Sequence, residues 1–182
     1  MLNTYVVYVE NKPGVLTRVA SLFRRRAFNI DSLTVGRTEK PEVSRMTITV
    51  DADRDQARRI EANLYKLVNV LLVENITNAP AIVRDLAMIK VAATHEARSH
   101  VLELASVFRA RVVDVAPESL TIEITGAEDK IDGLLEVLRP YGVLEMVRTG
   151  IVAMRRGSKS SAPLTATNLA QVAADDDVSY SV

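Results

Sequence analysis

The chain has 182 residues, enough for one domain or two small ones, and its 48% hydrophobic and 25% charged residues are the balance of an ordinary globular protein. Lys plus Arg equal Asp plus Glu at 23 each, which argues against a protein built mainly to coat nucleic acid, because phosphate binding needs an excess of Lys and Arg. The absence of cysteine excludes disulfides, thiolate zinc sites and a cysteine nucleophile. No apolar run approaches the ~20 residues needed to span a bilayer, and the N-terminus opens on strand alternation without a signal-peptide pattern, so the expected location is the cytoplasm.

In chain order, Asn3 to Glu10 reads as a strand rich in Val and Tyr. Pro13 to Arg26 reads as a helix, with Val15, Val19, Leu22 and Phe23 forming one apolar stripe. Asn29 to Arg37 is a second strand, broken by Lys40-Pro41-Glu42. Ser44 to Val50 is a third, with Met46, Ile48 and Val50 on one face and Arg45, Thr47 and Thr49 on the other. Asp53 to Leu67 is a second helix that buries Ala57, Ile60, Leu64 and Leu67, and Val70 to Asn75 is a fourth strand. The order is βαββαβ, a ferredoxin-like arrangement.

The order then recurs. Leu86 to Ala92 is a strand, and Glu96 to Arg109 a helix with Val101, Leu104, Ala105 and Phe108 in register. Val112 to Val115 and Leu120 to Thr125 are strands separated by Pro117-Glu118-Ser119. Thr125 and Glu128 have capping-box spacing before a helix that buries Ile131, Leu134, Leu135 and Leu138. A last strand starts at Val143 and resumes near Ile151. The predicted fold class is therefore α+β, with two consecutive βαββαβ domains. A linker holding Asn78, Ala79 and Pro80 joins them, and a Ser-, Ala- and Asp-rich stretch from Ser158 to Val182 is expected to be a disordered tail.

Catalytic groups are poorly supplied. His95 and His100 are five apart, off any shared helical face, and no nucleophile elbow, Walker loop or dinucleotide fingerprint is present. The Asp175-Asp176-Asp177 run reads as solvated charge. Arg24-Arg25-Arg26 closes the first helix, where cations favour the negative dipole end. RNA-recognition modules share the βαββαβ order, but the third strand here has no aromatic to stack on a base, and Tyr5 and Tyr8 point to opposite faces. One stretch points to a ligand: Glu10-Asn11-Lys12-Pro13-Gly14-Val15-Leu16, where strand pattern gives way to helix. Pro13 suits a first helical turn, and Gly14 allows close approach to the backbone. Free N–H groups at the positive helix end make a ready anion site, suited to the carboxylate of a free amino acid. Turn geometry alone also accounts for Asn, Pro and Gly here. Asn11 offers an amide, Asn29 sits where Asn tolerates a left-handed conformation, and Val15 and Ile30 are candidates for an apolar wall.

These residues, with Phe28-Asn29-Ile30-Asp31-Ser32-Leu33, Ser44-Arg45-Met46-Thr47-Ile48 and Tyr65-Lys66-Leu67-Val68-Asn69-Val70, resemble the small regulatory subunits of acetolactate synthase. In the second half Arg84-Asp85-Leu86, Val113-Asp114-Val115-Ala116-Pro117-Glu118-Ser119 and the closing Arg155-Arg156-Gly157 resemble the same family. The resemblance covers about residues 1 to 157. It implies an amino-acid-sensing ACT domain at 1–77, a linker at 78–84, a second ferredoxin-like domain at 85–157 and a tail at 158–182. It also implies no active site and no cofactor in this chain. The implied partner is a catalytic large subunit that carries thiamine diphosphate, Mg and FAD. By the same resemblance, pairing is expected to activate that subunit and to make branched-chain amino acid synthesis sensitive to valine, with leucine and isoleucine as other effectors. Carried over by residue, Asn11, Gly14, Val15 and Leu16 of one chain and Asn29 and Ile30 of its partner hold valine in a homodimer joined through ACT domains. The alternative is an ACT-type sensor that regulates another enzyme or transcription. One departure stands out: Ala27 occupies a position where the family usually has glycine, a cost of about 1 kcal/mol if the backbone there needs positive φ.

Overall fold

The computed structural model describes residues 1–157; the predicted tail, 158–182, lies outside the described residues. The described residues form two compact units, 1–82 with 154–157, and Val83–Ala153.

In the first unit the strands are β1 (Leu2–Glu10), β2 (Ile30–Arg37), β3 (Val43–Asp51) and β4 (Val70–Asn75), antiparallel neighbours in the order β2-β3-β1-β4. Helices α1 (Val15–Arg25) and α2 (Arg54–Leu64) cover one face. Alternation along β1 and β3 puts Tyr5, Val7, Val9, Met46, Ile48 and Val50 against Val19, Leu22, Phe23, Ile60 and Leu64 in a fully buried core. The opposite face is also closed at its centre, where Val6, Thr47 and Thr49 are buried. Arg45 crosses this face, with its guanidinium 5.7 Å from the Tyr8 ring centroid and Nη1 donating to Thr47 Oγ1.

The second unit repeats the plan. Strands β5 (Ala81–Ala92), β6 (Arg111–Val115), β7 (Ser119–Gly126) and β8 (Val143–Arg148) run in the order β6-β7-β5-β8, and β9 (Val152–Arg155) pairs with β5. Helices α3 (Arg98–Val107) and α4 (Glu128–Leu138) pack Val101, Ala105, Ile131, Leu134 and Leu138 onto Ile89, Val91, Ile122 and Ile124. Buried Asp85 accepts from Arg148 Nε at 2.7 Å and Thr149 Oγ1 at 3.0 Å, which satisfies its charge and ties β5 to β8.

Several local expectations are corrected. Of the segment 78–84 read as a linker, only the part up to Pro80 is turn, because β5 begins at Ala81. Thr125 is not a cap: β7 pairs through Gly126, Ala127 takes the N-cap position of α4, and no side chain caps it. The capping box lies instead at α2, where Asp53 Oδ1 accepts from Gln56 N and Gln56 Oε1 accepts from Asp53 N. That helix ends at Leu64, so Leu67 packs from a turn, and Tyr65 reaches the β4 backbone at Val73.

Helices α1 and α3 stop in the same way. Phe28 N donates to Phe23 O and Ala27 N to Arg24 O; Ala110 N donates to Ala105 O and Arg109 N to Ser106 O. These are Schellman endings, with a left-handed residue one step past the helix. Those residues are Ala27 at φ 55° and Arg109 at φ 52°, the non-glycine residues of positive φ among those described. The Phe23 and Phe28 rings, 6.3 Å apart and edge-to-face, supply the apolar contact that usually accompanies the motif. Ala27→Gly and Arg109→Gly should each therefore raise the unfolding free energy, by about 1 kcal/mol, in urea melts.

Tyr5 is completely buried and its hydroxyl donates to Ala57 O at 3.0 Å. Burial, reinforced by the nearby Glu61 carboxylate, pushes the phenol pKa up to about 12. The folded chain keeps this proton where an unfolded chain, with its tyrosine near 10, releases it. Stability contributed by Tyr5 is thus complete below pH ~10 and declines as pH rises through about 12. Tyr5→Phe should lose about 1 kcal/mol at neutral pH. It should also lose this alkaline decline, which can be followed by urea melts across that range.

Candidate functional site

Pro13 and Gly14 form a turn before α1, so Pro13 lies outside the helix it was expected to open. Gly14 is the N-cap, at φ 83°. A Cβ placed on it would meet nothing within 4 Å, so glycine is needed for its backbone conformation and not for lack of space. No side chain caps α1, and its first turn has no acidic residue. Val15 N donates to Lys12 O at 3.4 Å, whereas the N–H groups of Leu16 and Thr17 have no acceptor among the described residues. The positive end of this helix is therefore left open.

The residues singled out in the loop take different parts. Asn11 is fixed: its N–H donates to Glu42 O at 2.7 Å and Nδ2 to Pro41 O at 2.8 Å, which lashes the loop to the β2–β3 turn. With the donor committed, Oδ1 remains as an acceptor. Val15 was expected to help form an apolar wall, but its side chain is 3% exposed and belongs to the core, so it offers only its backbone. Leu16, 44% exposed, is the aliphatic side chain that faces outward beside the open amides. Ile30 is half-buried against the chain's own core, and Asn29 is exposed with no hydrogen bond among the described residues.

The two groups of residues stand apart within one chain. Antiparallel pairing of β3 with both β1 and β2 makes β1 and β2 run in the same direction, so the end of β1 and the start of β2 lie at opposite ends of the sheet. Helix α1 spans the gap, and its 11 residues are about 16 Å long. Asn29 and Ile30 therefore do not join Asn11 to Leu16 in a single chain.

Behind the loop lies a polar cluster that the sequence periodicity does not mark. Asn69, 8% exposed, accepts from Glu10 N through its backbone carbonyl at 2.9 Å, donates Nδ2 to Glu10 Oε2, and accepts from Arg18 Nη1 at Oδ1. Lys12 Nζ lies 3.0 Å from Glu10 Oε1. The hydrogen bond from Asn69, then that from Lys12, holds the Glu10 carboxyl below the usual range. The sequence marks Asn69 only as a polar residue set just before the apolar run Val70-Leu71-Leu72-Val73.

The second unit has the same lashing with a different occupant. Ala93 N donates to Glu118 O, as Asn11 N does to Glu42 O. Arg98, the first residue of α3, directs Nη2 to Ala116 O and Pro117 O, filling the mouth of the loop with its own guanidinium. Among the described residues no three His, Cys, Asp or Glu side chains are placed to hold a metal ion, and no helix is long and apolar enough to cross a membrane.

Two family models match the chain in tandem: an AHAS small subunit-like ACT domain over residues 6–72 and the small subunit of acetolactate synthase over residues 84–157. A probable acetolactate synthase small subunit of Archaeoglobus fulgidus is 50% identical over 159 residues, 87% of this chain and 99% of that one. The acetolactate synthase small subunit of Mycolicibacterium smegmatis is 47% identical over 157 residues, 86% of this chain and 92% of that one. The crystal structure of the small subunit from Thermotoga maritima superposes with a TM-score of 0.81 at 41% identity, covering 87% of this chain and 99% of that one. Matched in both halves and nearly end to end with such relatives, the chain belongs to the acetolactate synthase small-subunit family.

Proposed function

We propose that this chain is a non-catalytic regulatory subunit that activates a separate catalytic large subunit of acetolactate synthase and makes it sensitive to valine. Thiamine diphosphate, Mg and FAD belong to that large subunit, and the working place of the pair is the cytoplasm. The effector lies between the N-terminal domains of two copies of this chain. Asn11, Gly14, Val15 and Leu16 come from one copy, and Asn29 and Ile30 from the other.

The observation that carries this reading is the open N-terminus of α1 behind a left-handed glycine, with Asn29 and Ile30 a helix length away. The unpaired amides of Leu16 and Thr17 suit a carboxylate. Asn11 Oδ1 suits an ammonium group, and the exposed face of Leu16 suits a branched aliphatic tail. A second copy is needed to bring in Asn29, and β2, on the sheet edge, offers a place for it to approach. Valine biases the paired arrangement, and the large subunit responds to that arrangement.

Asn29 is the cleanest probe, because among the described residues its side chain makes no hydrogen bond that the fold would lose. Losing one hydrogen bond to a charged ligand costs about 1.5–3 kcal/mol, so Asn29→Ala should raise the valine concentration for half-inhibition by about tenfold or more. Its melting temperature and its activation of the large subunit should match the parent chain. Measured as acetolactate output with and without valine, a parent chain that neither activates nor confers inhibition would reject the proposal.

A further inference from the structure

We propose that Asn69 is a positioning residue for the effector loop, clamping the two ends of residues 11–14 so that the open amides of α1 face the ligand in one fixed geometry. This rests on reading that loop as the effector site. Glu10 is the last residue of β1, and Arg18 carries the first helical hydrogen bond of α1, from its N–H to Gly14 O. Asn69 holds both: its backbone carbonyl and Nδ2 bind Glu10, and its Oδ1 binds Arg18. Residues 11–14 between these anchors are all exposed. Without the Asn69 side chain the loop would keep the Asn11 contacts with Pro41 and Glu42, the Lys12 N–H bond to Glu10 O and the Val15 N–H bond to Lys12 O, but the link between Glu10 and Arg18 across its mouth would be lost.

The cluster has a defined polarity. Glu10 is an acceptor, Arg18 a donor, and the Asn69 amide is oriented by both. Lys12 completes the neutralisation of Glu10. A carboxylate left bare beside the α1 N-terminus would repel the carboxylate of an amino acid, so the clamp serves both geometry and charge. Burial of Asn69 leaves no water to replace a lost partner cheaply.

A polarity swap tests this. Asn69→Asp turns a carboxylate toward Glu10, removing one hydrogen bond and adding a like charge. Glu10→Gln combined with Asn69→Asp restores the pairing in reverse: the amide introduced at position 10 donates, and the carboxylate introduced at position 69 accepts from it and from Arg18. In the complex with the large subunit, Asn69→Asp should raise the valine concentration for half-inhibition by about tenfold, and the double variant should return to within about threefold of the parent. Activation without valine should be unchanged in both. Amide hydrogen exchange at Asn11, Lys12, Val15 and Arg18, whose N–H groups are hydrogen-bonded in and around this loop, should quicken in the single variant and slow again in the double.

Equal valine response in parent and Asn69→Asp, with unchanged exchange at those amides, overturns the clamp. If Asn69→Asp fails to fold, the double variant decides: a folded double with parent-like inhibition supports the clamp, and one folded but insensitive overturns it. If the parent chain itself ignores valine, the effector reading fails, and the exchange rates alone then decide whether the clamp orders the loop.

Discussion

The N-terminus of α1 leaves peptide N–H groups without partners among the described residues, and the proposed effector site is arranged around that open end. Asp53 and Gln56 cap α2 reciprocally, and Glu128 and Asp129 occupy the first turn of α4, whereas α3, like α1, begins with neither a side-chain cap nor an acidic residue in its first turn. A carboxylate at such an end gains about 0.3–1 kcal/mol from the dipole, and up to ~2 kcal/mol when partly buried, beyond the hydrogen bonds themselves. A protein with no use for an anion there gains by placing Ser or Asp at the cap. Here a left-handed glycine stands instead.

Duplication makes the contrast sharper. Both halves carry a Pro-Glu pair in the turn between their middle strands, and in both the glutamate carbonyl binds the first N–H after the opening strand. Both first helices end in a Schellman motif at a non-glycine residue. Where the first half offers Asn11 and an open helix end, the second supplies its own cation to the turn carbonyls. One scaffold thus carries an open loop in one copy and a self-filled loop in the other.

Most of the fold was legible in the sequence because period-2 and period-3.6 apolar patterns report directly which face is buried. Val15, Val19, Leu22 and Phe23 form the buried stripe of α1 as that period demands. The same stripe should have excluded Val15 from a ligand wall: a residue in register with the core is spent on packing, and the neighbouring Leu16 is the one left outside. Helix boundaries were less legible, because a capping-box spacing occurs at Thr125–Glu128 as well as at Asp53–Gln56, and only strand pairing decides between them. Ala27 was readable as a risk, and it does adopt positive φ, held by the Phe23–Phe28 contact. Asn69 was not readable as part of the site. Its partners Glu10 and Arg18 are 59 and 51 residues away, joined to it only by the pairing of β1 with β4.

The central claim is that each effector site draws on two chains, and complementation between defective chains tests it most directly. One chain would carry Asn29→Ala and another a bulky substitution of Gly14, each alone weakened in its response to valine. In a mixed dimer one site receives both lesions and the other receives neither. Calorimetry of the mixed dimer should recover parent-like valine binding at one site per dimer. Mixed dimers that bind no valine would contradict a site shared between chains.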